Sequence, residues 1–137
     1  MKKVLLFTTV FFMLVSMTSC KKLLGLDPES LLTKAPWQGD KMEIYLNGSL
    51  AQIETIDNMT LELFKKTHRY TMYKNNVVTE KGDWSYNEDT KKITFDADTG
   101  QPYVFDLIKL DKKNLELEIK SVENGDEILI KLSFRRE

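Results

Sequence analysis

The chain has one cysteine, Cys20, and one histidine, His68. A lone cysteine cannot form a disulfide within the chain, so the fold has to be held by an apolar core. Zinc sites use histidine and cysteine far more readily than carboxylates alone, and no glycine-rich phosphate loop occurs. We therefore predict no metal site and no cofactor.

The chain also lacks a large excess of either positive or negative charge. There are 20 Lys and Arg residues against 21 Asp and Glu residues, which gives a net charge of −1. Nucleic-acid-binding domains usually carry a basic face, so this balance argues against a nucleic-acid partner. After Cys20 no apolar run is long enough to cross a bilayer.

The one long apolar run lies at the start of the chain. Met1-Lys2-Lys3 is followed by the apolar residues 4–15 and then by small and polar residues up to Cys20. A basic head, a short apolar stretch and small residues are typical of a secretory signal peptide, which we predict at residues 1–19. The alternatives are an ordinary signal peptide with a cysteine nearby by chance, and an uncleaved anchor.

The residues Met17-Thr18-Ser19-Cys20 resemble the lipobox of bacterial lipoproteins. The resemblance implies that Cys20 is lipidated and becomes the new N-terminus, with residues 20–29 as a tether. Several acyl chains hold a protein firmly to a membrane. Lys21, directly after the cysteine, resembles the sorting signal of outer-membrane lipoproteins. We therefore expect the domain at the outer membrane, facing the periplasm or the cell surface.

A short helix is predicted at the entry to the domain. Asp27 can cap a helix, and Pro28 suits its first turn. Pro36 then stops the segment, which leaves room for one or two turns.

From Trp37 onward the apolar residues recur at every second position, which is typical of strands with one buried face. Turn signals such as Asn47-Gly48 separate the segments. Strands are predicted at residues 37–46, 60–64, 69–73, 82–86, 92–95, 103–110, 114–120 and 128–135, with an irregular strand at 50–56 and a strand or loop at 77–80. Residues 103–110 carry apolar side chains on both faces, including Val104 and Ile108, so we expect both faces of that strand to be covered.

This pattern predicts an all-β fold, an antiparallel up-and-down meander of seven or eight strands that closes into a small barrel. The links are short and no long crossover is evident. A β-sandwich is the main alternative. The last strand is highly apolar on one face, which favours pairing on both of its edges.

Several short motifs resemble the small bacterial lipocalin-like domain family, which is found in secreted lipoproteins. They are Ser30-Leu31-Leu32-Thr33, Trp37, Tyr70-Thr71-Met72-Tyr73, Gly82-Asp83-Trp84-Ser85 and the final strand from Ile128 to Arg135-Arg136. The resemblance implies a lipocalin-like barrel over residues 30–137.

Catalysis finds little support in the sequence. His68 lies in a predicted turn, and no local motif marks a nucleophile for it to activate. Asp96-Ala97-Asp98-Thr99-Gly100 begins like a calcium loop, but Leu107 stands where the bidentate glutamate belongs, so we predict a polar loop. We predict no catalytic residues and no enzyme activity.

Two hypotheses for function remain. In the first, the barrel binds a small hydrophobic ligand in a pocket lined by aromatic residues of the middle strands. These residues are Tyr70, Tyr73, Trp84, Tyr86, Phe95, Tyr103 and Phe105. Alternatively, Trp84, like Trp37, fills the barrel floor.

In the second hypothesis, the barrel is solid and its outer face, with Tyr45, Phe64 and Val104, meets another envelope protein. A cavity of roughly 300 Å³ or more would favour the first hypothesis. In either case we expect a monomer that is attached to the membrane through Cys20.

Overall fold

The computed structural model describes residues 26–136. Within that range it contains one helix, α1 (Pro28–Thr33), and nine β-strands. The strands are β1 (Trp37–Leu46), β2 (Ser49–Thr55), β3 (Met59–Leu63), β4 (Arg69–Lys74), β5 (Val77–Asn87), β6 (Lys92–Ala97), β7 (Tyr103–Leu110), β8 (Asn114–Glu123) and β9 (Asp126–Arg135).

Helix α1 begins at the predicted cap. The carboxylate of Asp27 accepts a hydrogen bond from the backbone N–H of Ser30 at 3.2 Å, and Pro28 occupies the first turn. Leu31 and Leu32 are buried, and the helix contacts β3 and β7. The prediction of a short helix is therefore confirmed.

The sheet closes on itself because β1 pairs with β9 along residues Gln38–Leu46. Eight antiparallel strands, β1 and β3–β9, then form a barrel in which consecutive strands from β3 to β9 pair with each other and β3 pairs with β1. The prediction of an up-and-down barrel is confirmed, and the sandwich is excluded. Pairing of the last strand on both edges is confirmed as well, since β9 joins β8 to β1.

Strand β2 lies outside this ring. The edge of β1 that does not face β9 pairs with two different strands. Trp37 and Gln38 pair with β3, whereas Lys41–Leu46 pair with β2. All seven residues of β2 are exposed. The chain therefore has one strand more than the barrel needs.

Strand β5 is longer than the sequence suggested. A strand or loop at residues 77–80, separate from a strand at 82–86, was expected, but one strand runs from Val77 to Asn87. Gly82 does not interrupt it, because the glycine allows the backbone of β6 to come close. A Cβ atom at this position would lie 2.2 Å from the carbonyl oxygen of Asp96.

The prediction that both faces of residues 103–110 are covered is wrong. Val104 and Ile108 on β7 are 45% and 47% exposed. They lie on the outside of the closed barrel, where no second layer from residues 26–136 covers them. Alternation shows which side chains share a face, but it does not show whether that face is covered.

The two ends of the barrel differ. We call the end with α1 and the β7–β8 turn the closed end, and the end with the β4–β5 turn and the β6–β7 loop the open end. Trp37 is fully buried at the closed end, and its indole Nε1 donates a hydrogen bond to the carbonyl of Leu32 at 3.1 Å. This bond ties α1 to β1.

Arg136 completes the closed end. Its guanidinium carbon lies 3.8 Å from the centre of the Trp37 ring, which is a cation–π contact. The same guanidinium donates hydrogen bonds to the backbone carbonyls of Leu31, Ala35 and Lys112. The last described residue thus holds the helix, the first strand and the β7–β8 turn together.

Replacing Arg136 by alanine should destabilise the fold by about 3 kcal/mol, because it removes the cation–π contact and leaves three carbonyls without their charged donor. The measurement is urea unfolding followed by tryptophan fluorescence. Arg135→Ala is the matched control, since Arg135 makes only an exposed ion pair with Asp40 and its loss should cost less than about 1 kcal/mol. Equal losses in the two variants would contradict this account of the closed end.

Candidate functional site

The open half of the barrel contains a cavity of about 350 Å³. Its aliphatic and thioether lining comes from Met59, Leu61, Met72, Leu117 and Leu132. Its aromatic lining comes from Tyr70, Phe95, Tyr103, Phe105 and Phe134. Thr79 and Glu80 complete it. The cavity is therefore mostly apolar, with polar groups concentrated on β5.

The opening of the cavity can be located from exposure. Of the lining residues, Thr79 and Tyr103 are exposed, whereas Leu61, Tyr70 and Leu117 are almost fully buried. Thr79 lies just after the β4–β5 turn and Tyr103 just after the β6–β7 loop. The cavity therefore opens at the open end and becomes deeper toward the closed end.

Three rings form a contiguous aromatic wall across β4, β6 and β7. Tyr70 and Phe95 meet edge to face with ring centres 5.0 Å apart, and Phe95 and Phe105 do the same at 5.9 Å. Such edge-to-face pairs add stability beyond the burial of their area. They also hold the rings in place, so this wall is formed without a ligand.

One ionisable pair faces the cavity. The Tyr70 hydroxyl donates a hydrogen bond to Oε2 of Glu80 at 2.8 Å. Burial, and secondarily this hydrogen bond, raises the pKa of Tyr70 well above its ordinary value. Tyr70 therefore remains a neutral donor and Glu80 its acceptor.

The structure brings four of the seven predicted pocket residues to the cavity, namely Tyr70, Phe95, Tyr103 and Phe105. Tyr73 does not line it. On β4 the side chains of Tyr70 and Met72 point into the barrel, and Tyr73, the next residue after Met72, points to the opposite face. Trp84 lies nearer the closed end, buried, with Nε1 donating to the carbonyl of Phe64 at 3.1 Å. Tyr86 lies still further along β5 and borders an outer depression instead.

Sequence reasoning missed the other eight residues of the lining, among them Glu80 and the two methionines Met59 and Met72. Glu80 had a signal, because it occupies the same period-two series as Gly82, Trp84 and Tyr86 and is the only charged member of it. Cys20, the predicted lipidation site, and the predicted signal peptide lie outside the described residues.

The outer depression, of about 700 Å³, lies at the β5–β6 hairpin. Most of its lining is polar, including Ser85, Asn87 and Lys92. It is wide and shallow and lacks the buried apolar walls that small-molecule sites usually have. The barrel cavity is therefore the better candidate site.

Other groups of chemical interest are engaged elsewhere. The ring of His68 lies 5.0 Å from that of Trp84, and its Nε2 lies 2.7 Å from a Glu29 carboxylate oxygen. Asp98, from the loop that resembles a calcium site, accepts two hydrogen bonds from the Arg69 guanidinium at 2.7 and 2.6 Å. Among residues 26–136 no cluster of three or more His, Cys, Asp or Glu side chains could hold a metal ion. In the same part of the chain no helix is long and apolar enough to cross a bilayer.

Comparison with known proteins identifies the fold. No protein-family model matches the chain, and no curated protein matches it. Among solved structures it is similar to the crystal structure of a lipocalin-like protein from Bacteroides uniformis ATCC 8492, with a TM-score of 0.53 and 15% sequence identity. The match covers 78% of this chain and 99% of that chain. The chain therefore has a lipocalin-like fold, and the likeness shows the fold alone.

Tyr70 should titrate late in the folded protein. Because its pKa is raised, its contribution to stability is complete below the pKa of the unfolded chain, about 10, and is lost as pH rises through the folded value. The pKa values of Tyr45 and Tyr86 are raised as well, but less than that of Tyr70. A spectrophotometric titration of tyrosinate should therefore show a latest component that Tyr70→Phe removes. Glu80→Gln should lower the pKa of Tyr70, but not to its ordinary value, because burial is the larger cause of the raised pKa. Persistence of the latest component in Tyr70→Phe would contradict the assignment.

Proposed function

We propose that this protein is an envelope-anchored lipoprotein whose barrel binds a small hydrophobic ligand without catalysing a reaction. The observation that carries the proposal is the cavity of about 350 Å³, which lies at the lower end of the size range of small-molecule sites. An eight-stranded barrel is just wide enough to hold one small ligand. The cavity also favours a binding site over the alternative of a solid barrel that serves only as an interaction module.

The composition of the lining supports binding rather than catalysis. Apolar and aromatic side chains form most of it, and burial of ligand surface against them gives about 25 cal/mol per Å². Glu80 and Tyr70 hydrogen-bond to each other, and no histidine or lysine lines the cavity to act as a partner in proton transfer.

The proposed anchor would fix the direction in which the cavity opens. Residues 21–26 separate Cys20 from the cap of α1 and can reach at most about 25 Å. Helix α1 lies at the closed end, so a tether attached there would leave the open end pointing away from the tethering membrane. A ligand would then arrive from the aqueous side or from another carrier.

A neutral environment-sensitive dye such as Nile red should bind the soluble domain and gain fluorescence, because it would leave water for an apolar cavity. Met72→Trp should weaken this binding at least tenfold, since the larger side chain fills the void. Tyr73→Trp is the matched control, because it adds an indole at the adjacent position that does not line the cavity. Fluorescence titration measures both affinities. Loss of binding in Tyr73→Trp alone, or no binding by the folded wild type, would refute the cavity as the binding site.

The anchor is tested separately by Cys20→Ser. This change removes the thiol that would carry the lipid, so the protein should move from the membrane pellet to the soluble fraction on cell fractionation. Ser19→Ala, which keeps both the cysteine and a small residue before it, should remain in the pellet. A Cys20→Ser protein that stays in the pellet after a high-salt wash would overturn the lipoprotein proposal.

A further inference from the structure

The cavity has one charged lining residue, and its charge is not neutralised. Glu80 is the only Asp, Glu, Lys, Arg or His side chain among those that line it. Within the described part of the chain no lysine, arginine or histidine lies within ion-pair distance of its carboxylate. A carboxylate placed in a mostly apolar cavity costs free energy unless it is paired or hydrogen-bonded.

The hydrogen bonding of Glu80 is incomplete. Its Oε2 accepts the Tyr70 hydroxyl, whereas among the hydrogen bonds of residues 26–136 none reaches Oε1. An ionised carboxylate can accept about four hydrogen bonds, so most of its capacity is left for water or a ligand. Tyr70 cannot relieve the charge by proton loss, because that would create a second anion beside the first.

The position of Glu80 determines which part of a ligand it would meet. It follows Thr79, which lies at the opening, while the apolar wall of Leu61, Phe105 and Leu117 lies deeper. A ligand with an apolar body would fill the deep part and leave its polar end beside Glu80. On β4, Lys74 belongs to the same alternating series as Tyr70 and Met72, but it is exposed and does not line the cavity.

We propose, on the basis of the binding function above, that the ligand is an amphiphile whose polar end is a cation or a hydrogen-bond donor, such as an amine or a hydroxyl, and not a fatty acid. An ammonium group would pair with Oε1 of Glu80 and compensate for the water that it displaces. A fatty-acid carboxylate would bring a second negative charge to the same place. Two like charges at this place would repel each other, and more strongly the less water lies between them.

Three ligands with one alkyl chain test the inference: decylamine, decanol and decanoate, each competing with Nile red at neutral pH and below its aggregation concentration. Wild-type protein should bind decylamine at least tenfold more tightly than decanoate, with decanol between them. This ranking needs no variant, so it remains informative even if a substituted protein is unstable.

The role of Glu80 is tested by Glu80→Gln, which keeps the shape and the Tyr70 hydrogen bond but removes the charge. The preference for decylamine over decanoate should fall at least tenfold. Glu62→Gln is the matched control, because Glu62 lies on β3 at a position that does not line the cavity, and it should keep the wild-type ranking.

The outcomes separate this inference from the function on which it rests. If Nile red binds but decanoate competes as well as decylamine, the ligand class is wrong and the binding site stands. If the preference for decylamine persists in Glu80→Gln, or falls equally in Glu62→Gln, Glu80 does not set it. If neither the dye nor any alkyl compound binds the folded wild type, the proposed binding function itself fails.

Discussion

Pairing of β1 with β9 is the constraint on which the rest of the structure depends. It closes eight strands into a barrel whose interior is just wide enough to be filled by side chains or to hold one small ligand. Trp37, held by Leu32 and Arg136, fills the closed end, so space remains only toward the open end. The same closure leaves β1 with one remaining edge, which it divides between β3 and β2. The cavity and the extra strand are therefore both consequences of how β1 is used.

Much of this architecture was predictable because it rests on local rules. Period-two alternation identified nearly every strand. Short turns such as Asn47-Gly48 indicated that strands next to each other in the chain pair in antiparallel fashion. The apolar face of the last strand indicated pairing on both edges, which is the closure itself. The Asp27 cap and Pro28 located the helix. Each of these features depends on residues close together in the chain.

Which inward-facing residues reach the cavity depends on their position along the barrel axis, and alternation does not indicate that position. Trp84 and Tyr86 share the inward series of β5 with Glu80, yet they lie too near the closed end to reach the cavity. A bulge between Met72 and Tyr73, where the register with β5 shifts, also affects which residues of β5 face inward. The role of Arg136 over Trp37 joins residues from opposite ends of the domain. None of these arrangements has a signal within one strand.

Glu80 gives the cavity a charged group that the packing of the barrel does not require. A neutral acceptor such as glutamine would satisfy the Tyr70 hydroxyl, and an apolar residue would extend the wall, so neither packing nor the Tyr70 hydrogen bond requires a carboxylate here. A carboxylate in apolar surroundings lowers stability unless water or a hydrogen-bond donor reaches it. Functional sites are where proteins commonly retain such costs. A half-buried carboxylate that the polar group of a ligand can meet gives the cavity a polar end, and therefore a preferred ligand orientation, which a uniformly apolar barrel would lack.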